Sequence, residues 1–264
     1  MNAGRPPSPT LAELRAVVQP DWVMARSAEH WTGTLYMRRL SIYVTWLLVR
    51  TPISANGVTW LMILAGGLAG PALLLPLPWG VLVAALLAQL QMLLDCCDGE
   101  VARWRDRMSP KGIFLDQIGH YVAEGSIGVF LGVSVALSHS PTDWRFVAAG
   151  ALLMAGIWFN KSLNMMVTLA RTNAGLPRLP DSPSVRAIAG TSLLGRLRRV
   201  AAMVPLHRMF HSIELTLVSL LAGLAALVVP ALWPWFVVFL TVLIWPVIVG
   251  HFLAIWASSR LAAS

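Results

Sequence analysis

Charge is what this chain has least of: 12% of its 264 residues are charged, against 57% hydrophobic, and only 12 are Asp or Glu. Soluble domains carry about 25% charged residues, so an ordinary soluble fold is excluded. Cysteine is confined to the adjacent pair Cys96 and Cys97, which builds no disulfide framework. Nor is that pair by itself a zinc site, since structural zinc takes four ligands. Lysine occurs only at Lys111 and Lys161, so the formal charge of +8 is carried by arginine, a bias that points to a GC-rich bacterial genome. The arginines lie in links beside apolar segments. That placement suits membrane orientation and anionic headgroups, and argues against nucleic acid as a partner. No cleavable signal peptide is expected, because the first 35 residues are mixed and broken by Pro6, Pro7, Pro9 and Pro20.

Apolar segments fill the chain instead. Runs of about 20 residues span the hydrocarbon core as helices, and six are expected at 57–76, 81–104, 112–138, 145–170, 213–230 and 234–257. The predicted fold is therefore an all-α integral membrane protein, with six transmembrane helices preceded by an N-terminal interfacial helix. That helix covers Tyr36–Arg50, mixing Arg38, Arg39 and Arg50 with Leu40, Tyr43, Trp46 and Leu47, too short and too charged to span. Residues 1–35 read as a cytoplasmic N-terminal segment, helical around Leu11–Val18, and residues 36–264 as a single membrane domain without internal repeats. Ser54 or Asn56 caps the first span, while Pro71 and Pro246 fall inside spans. Trp60, Trp79, Trp144, Trp233 and Trp235 mark membrane interfaces by position.

Links 103–111 and 171–212 are arginine-rich, and the second includes a basic stretch, Gly195–Met203, patterned as a short amphipathic helix. The positive-inside rule puts both links and both termini in the cytoplasm. Arg105 and Arg107 read as orienting charges of this kind.

One stretch, Asp95–His120, concentrates the chemistry: DCCDGEVARWRDRMSPKGIFLDQIGH. Carboxylates at membrane depth are costly unless paired, metal-bound or wet. Asp95 and Asp98 are three residues apart, Asp116 and His120 four, so each pair shares a helix face. Two adjacent antiparallel helices then pool three carboxylates and an imidazole, a donor set for a hard divalent cation that also takes phosphate oxygens. Gly99 and Gly112 leave room for close backbone approach to a ligand, and Arg103 offers a planar fork for phosphate.

The stretch resembles the signature of the CDP-alcohol phosphotransferase (CDP-alcohol phosphatidyltransferase) family, D-x2-D-G-x2-A-R-x8-G-x3-D-x3-D. Asp95, Asp98, Gly99, Ala102, Arg103, Gly112 and Asp116 match at the family spacing, and His120 stands where the family has its fourth aspartate. An N-x2-T ending at Thr59 is similar to a second family feature, with Ala55 in place of its proline. The resemblance implies Asp95, Asp98 and Asp116 as ligands of Mg²⁺ or Mn²⁺. It implies a nucleotide site at Gly99, Ala102, Arg103 and Gly112, and catalysis at position 120. It further implies a CDP-alcohol donor, CDP-diacylglycerol above all, an acceptor alcohol, release of CMP and a homodimer. A multi-pass protein of the bacterial plasma membrane, its active site facing the cytoplasm, is the expected setting. The alternatives are transfer of a CDP-linked headgroup to a lipid acceptor, and CDP-lipid binding without turnover, which the change to His120 motivates.

Glu124 lies one turn beyond His120, placed to orient its imidazole or to sit buried against a neighbouring helix. Asn160, Lys161 and Asn164 form a polar patch in the fourth span, where Lys161 either meets an anionic acceptor or snorkels. His207, His211 and Glu214 read as interfacial polar residues.

Overall fold

The computed structural model describes residues 5–6, 8–21, 23, 36–139, 141–177 and 206–261. The basic stretch Gly195–Met203, with Arg178, Arg186, Arg196, Arg198 and Arg199, lies outside the described residues, as do residues 24–35. All regular structure among the described residues is helical: α1 Leu11–Val18, α2 Arg38–Leu48, α3 Ala55–Ala72, α4 Trp79–Trp104, α5 Pro110–Leu137, α6 Trp144–Asn173, α7 Ser212–Ala226 and α8 Leu232–Trp256, with short 3₁₀ turns at Leu206–Phe210 and Ser259–Leu261. Helices α4, α5, α6 and α8 are long and apolar enough to cross a bilayer. The first and fifth expected spans form as the shorter α3 and α7, of 18 and 15 residues, because turns after Ala72 and Ala226 cut each apolar run.

Contacts divide the chain into two compact units, one of residues 1–68 and 86–123, the other of 69–85 and 124–264. In the first, α1 opens with a capping box: Thr10 accepts from the Glu13 amide, and Glu13 accepts from the Thr10 amide at 2.8 Å. Leu14 and Val18 of α1 pack with Ile42 and Val49 of the α2 region and with Val101 and Trp104 of α4. Ser54, not Asn56, caps α3, its Oγ accepting from the Gly57 amide at 3.0 Å. Arg105, read in the sequence as an orienting charge, has backbone partners. It donates to the carbonyls of Leu48, Thr51 and Ile53 and ties the α2–α3 link to the end of α4.

In the second unit, α5 and α6 approach backbone to backbone. A Cβ on Gly132 would lie 2.2 Å from the Phe146 carbonyl oxygen, and one on Gly150 2.5 Å from that of Val129. Gly175, at φ +69°, ends α6 in the left-handed conformation, with the Leu176 amide returning to the Arg171 carbonyl at 2.9 Å. Trp60, Trp79, Trp144 and Trp235 are exposed, whereas Trp233 is buried with its Nε1 donating to Ser134 at 3.3 Å. Trp233, at the start of α8, thus faces inward against α5.

Candidate active site

Two helix ends frame the signature residues. Helix α4 closes at Trp104 with Asp106 left-handed at φ 52°, its amide bonded to the Arg103 carbonyl and that of Arg107 to the Ala102 carbonyl at 3.0 Å. Helix α5 restarts after Ser109, whose Oγ accepts from the Gly112 amide at 3.1 Å, with Pro110 in its first turn. Asp95 and Asp98 ride on α4, Asp116 and His120 on α5.

The turn brings three of these four side chains together. His120 Nε2 lies 3.1 Å from Asp95 Oδ1 and 3.5 Å from Asp116 Oδ1, and all three groups are partly buried. One ligand atom from each sits within 4.8 Å of the others. Gln117 donates to the second oxygen of Asp116 at 3.2 Å. Asp98 is engaged differently, its Oδ2 accepting from Thr59 Oγ1 on α3 at 2.6 Å. Two carboxylates and an imidazole converging in a partly accessible place suit a divalent cation that keeps waters and takes phosphate oxygens.

The remaining signature positions lie on the same two helices. The Arg103 guanidinium folds back across Gly99, where a Cβ would meet it at 3.2 Å, while its Nε donates to the Val18 carbonyl at 2.9 Å. Gly112 faces Asn56, whose Oδ1 lies 3.2 Å from where a Cβ would stand. Thr59 and Asn56 are the two polar residues of the N-x2-T feature, the sequence signal that marked this part of α3.

Glu124 belongs to the other unit and is 2% exposed at its side chain. Its Oε1 accepts from Lys161 Nζ at 2.9 Å and from His211 Nδ1 at 3.0 Å. Lys161 therefore meets an anion inside the protein itself, which neither snorkelling nor an acceptor had supplied. His211 stands 87 residues from Glu124 in sequence, a separation no local pattern reveals, and Glu214 is buried. The polar patch on α6 continues with Asn160 bonded to His251 at 2.9 Å and Asn164 to Arg260 at 3.1 Å.

Among the described residues, four helices are long and apolar enough to cross a bilayer, and two of them carry a carboxylate–imidazole group that could hold a metal ion: a membrane-type helical protein with a candidate cation site. The chain belongs to the CDP-alcohol phosphatidyltransferase family, whose sequence pattern matches residues 52–243. It is also 33% identical over 136 residues to a bifunctional IPC transferase and DIPP synthase of Thermococcus kodakarensis, covering 50% of this chain and 30% of the relative. The chain thus spans under a third of that relative's length. Membership implies transfer of a phosphoalcohol group from a CDP-alcohol, and the family is divalent-metal dependent.

Proposed function

We propose that this protein transfers a phosphatidyl group from CDP-diacylglycerol to the hydroxyl of an acceptor alcohol, releasing CMP. The observation that supports it most is the convergence of Asp95, Asp116 and His120 on one another inside a seven-position match to the family signature. Asp95, Asp98 and Asp116 hold Mg²⁺ or Mn²⁺, which when bound neutralises pyrophosphate charge and orients the leaving nucleotide. Arg103, Gly99, Ala102 and Gly112 receive the nucleotide. His120 takes the proton from the acceptor hydroxyl as that oxygen forms its bond to phosphorus and the bond to CMP breaks. An imidazole base works unprotonated, so turnover falls as acid protonates it. The six-span arrangement, with α2 in the interface and the site facing the cytoplasm of a bacterial plasma membrane, completes the reading, along with a homodimeric assembly.

A second reading of His120 has its own support. Its Nε2 stands 3.1 Å from Asp95 Oδ1 and 3.5 Å from Asp116 Oδ1, within reach of a shared ion, so in this reading His120 serves as a cation ligand in place of the family's aspartate. CMP release from CDP-diacylglycerol, followed with Mn²⁺ binding to the same samples, tests both. Asp95→Asn and Asp116→Asn should each lose transfer and weaken Mn²⁺ binding. Full activity in EDTA would overturn the metal reading. His120→Ala with lost transfer and parent-like Mn²⁺ affinity marks a base; loss of both marks a ligand. A His120→Ala protein as fast as the parent defeats either role. A parent that binds CDP-diacylglycerol but never releases CMP, while His120→Asp does, returns the chain to lipid binding without turnover.

A further inference from the structure

Glu100 lies inside the signature, between Gly99 and Ala102, at a position the signature leaves open. It is fully buried. Its Oε1 accepts from Ser41 Oγ at 2.7 Å and Gln19 Nε2 at 2.8 Å, and its Oε2 accepts from Thr45 Oγ1 at 2.6 Å. Arg38 NH1 stands 3.7 Å away and supplies the compensating charge. Charge-assisted hydrogen bonds of this kind together offset removing the carboxylate from water.

All four partners come from the segment Gln19–Thr45, and none from α3 or α5. At roughly 100° per residue, Glu100 projects about 140° round α4 from Asp95 and about 160° from Asp98. The carboxylate therefore grips the back of the turn whose front carries the cation-binding residues. Other residues near it on α4 also meet the chain that precedes α3. Cys97 Sγ approaches the Ser41 carbonyl at 3.7 Å, Arg103 donates to Val18, and Val101 and Trp104 pack on Leu14, Val18, Ile42 and Val49. In front, Thr59 donates to Asp98 and His120 meets Asp95.

We infer that Glu100 is a positioning residue: by bonding Ser41, Thr45 and Gln19 it fixes the rotation of α4, and with it the direction in which Asp95 and Asp98 face the cation and the pyrophosphate. The inference rests on the transfer reading above. Carboxylates carried about 5–6 Å from a helix axis move about 1 Å for a turn of roughly 10°. A misplacement of about 1 Å costs on the order of 100-fold in rate.

The experiment uses the full chain in detergent or vesicles, with Mn²⁺ as probe, and measures Mn²⁺ affinity, kcat and KM for the CDP-alcohol, and thermal midpoint. Glu100→Asp keeps the charge but falls one methylene short of its partners. Ser41→Ala with Thr45→Val keeps the charge and removes two donors. Both should weaken Mn²⁺ binding about tenfold and lower kcat by about 10- to 100-fold, with smaller change in KM. Glu100→Gln, nearly isosteric, should do the same. If only Glu100→Gln weakens Mn²⁺ binding, the effect is the field of the charge and the positioning role is overturned. If all three lower the thermal midpoint while the folded protein keeps parent-like Mn²⁺ affinity and kcat, Glu100 is a structural group and the inference also fails. Should Glu100→Asp not fold, the Ser41/Thr45 variant decides alone. A parent that binds Mn²⁺ without releasing CMP sinks the transfer reading only, and the Mn²⁺ arm still decides the role of Glu100.

Discussion

Three carboxylates of this chain leave water in three ways. Asp98 takes a threonine hydroxyl, Glu100 takes hydroxyls, an amide and an arginine, and Glu124 takes an ammonium and an imidazole. Removing one partner of a buried ion pair costs about 3–5 kcal/mol, because the other charge stays behind. Lys161→Met should therefore lower stability by about 3 kcal/mol, with Glu124 left on its remaining donors. Adding Glu124→Gln should recover part of that loss, as expected for contacting residues. The same pair of variants examines Lys161 as an acceptor-binding group. A raised acceptor KM that persists in the stabilised double variant supports that role, whereas parent-like kinetics leave Lys161 as Glu124's partner and nothing more.

At the scale of elements, the glycines of α5 and α6 set how closely these helices pack. A methyl on Gly132 would overlap the Phe146 carbonyl, and the only relief is separation of the helices along their length. Gly132→Ala should lower the thermal midpoint in detergent clearly, by overpacking of about 1–3 kcal/mol. Gly250 of α8 has open space where its Cβ would stand, so Gly250→Ala should hold or slightly raise it through helix propensity. Equal responses at the two positions would show that the α5–α6 approach is not a tight contact in the protein. Caps belong to this scale too. Ser109 with Pro110, and the left-handed Asp106, fix the short link that lets Asp95 and His120 meet.

For the whole molecule, arginine placement predicts sidedness. In a protein with Cys96 and Cys97 replaced, Arg107→Cys should react with impermeant reagents from the cytoplasmic side alone and His139→Cys from the outer side alone. Reaction of both from one side would overturn the proposed threading through the bilayer.

Sequence by itself determined the all-helical class, since continuous apolar runs without water to bond have few other ways to satisfy their backbone. It also determined the family and the ligand candidates, because i, i+3 and i, i+4 spacing fixes which side chains share a face whatever the helix packs against. Element ends were legible where a local cap exists, as at α1 and Ser54. Tertiary structure alone decided the partners. Glu100 stands two residues from Asp98 in sequence, and only the packing of α2 against α4 gives it Ser41 and Thr45 as partners. Glu124 reads as His120's neighbour by spacing, yet Lys161 and His211 reach it from 37 and 87 residues away. The physical reason is one of range: helix periodicity orients a side chain relative to its own axis, and what stands opposite that face is set by contacts between segments distant in the chain.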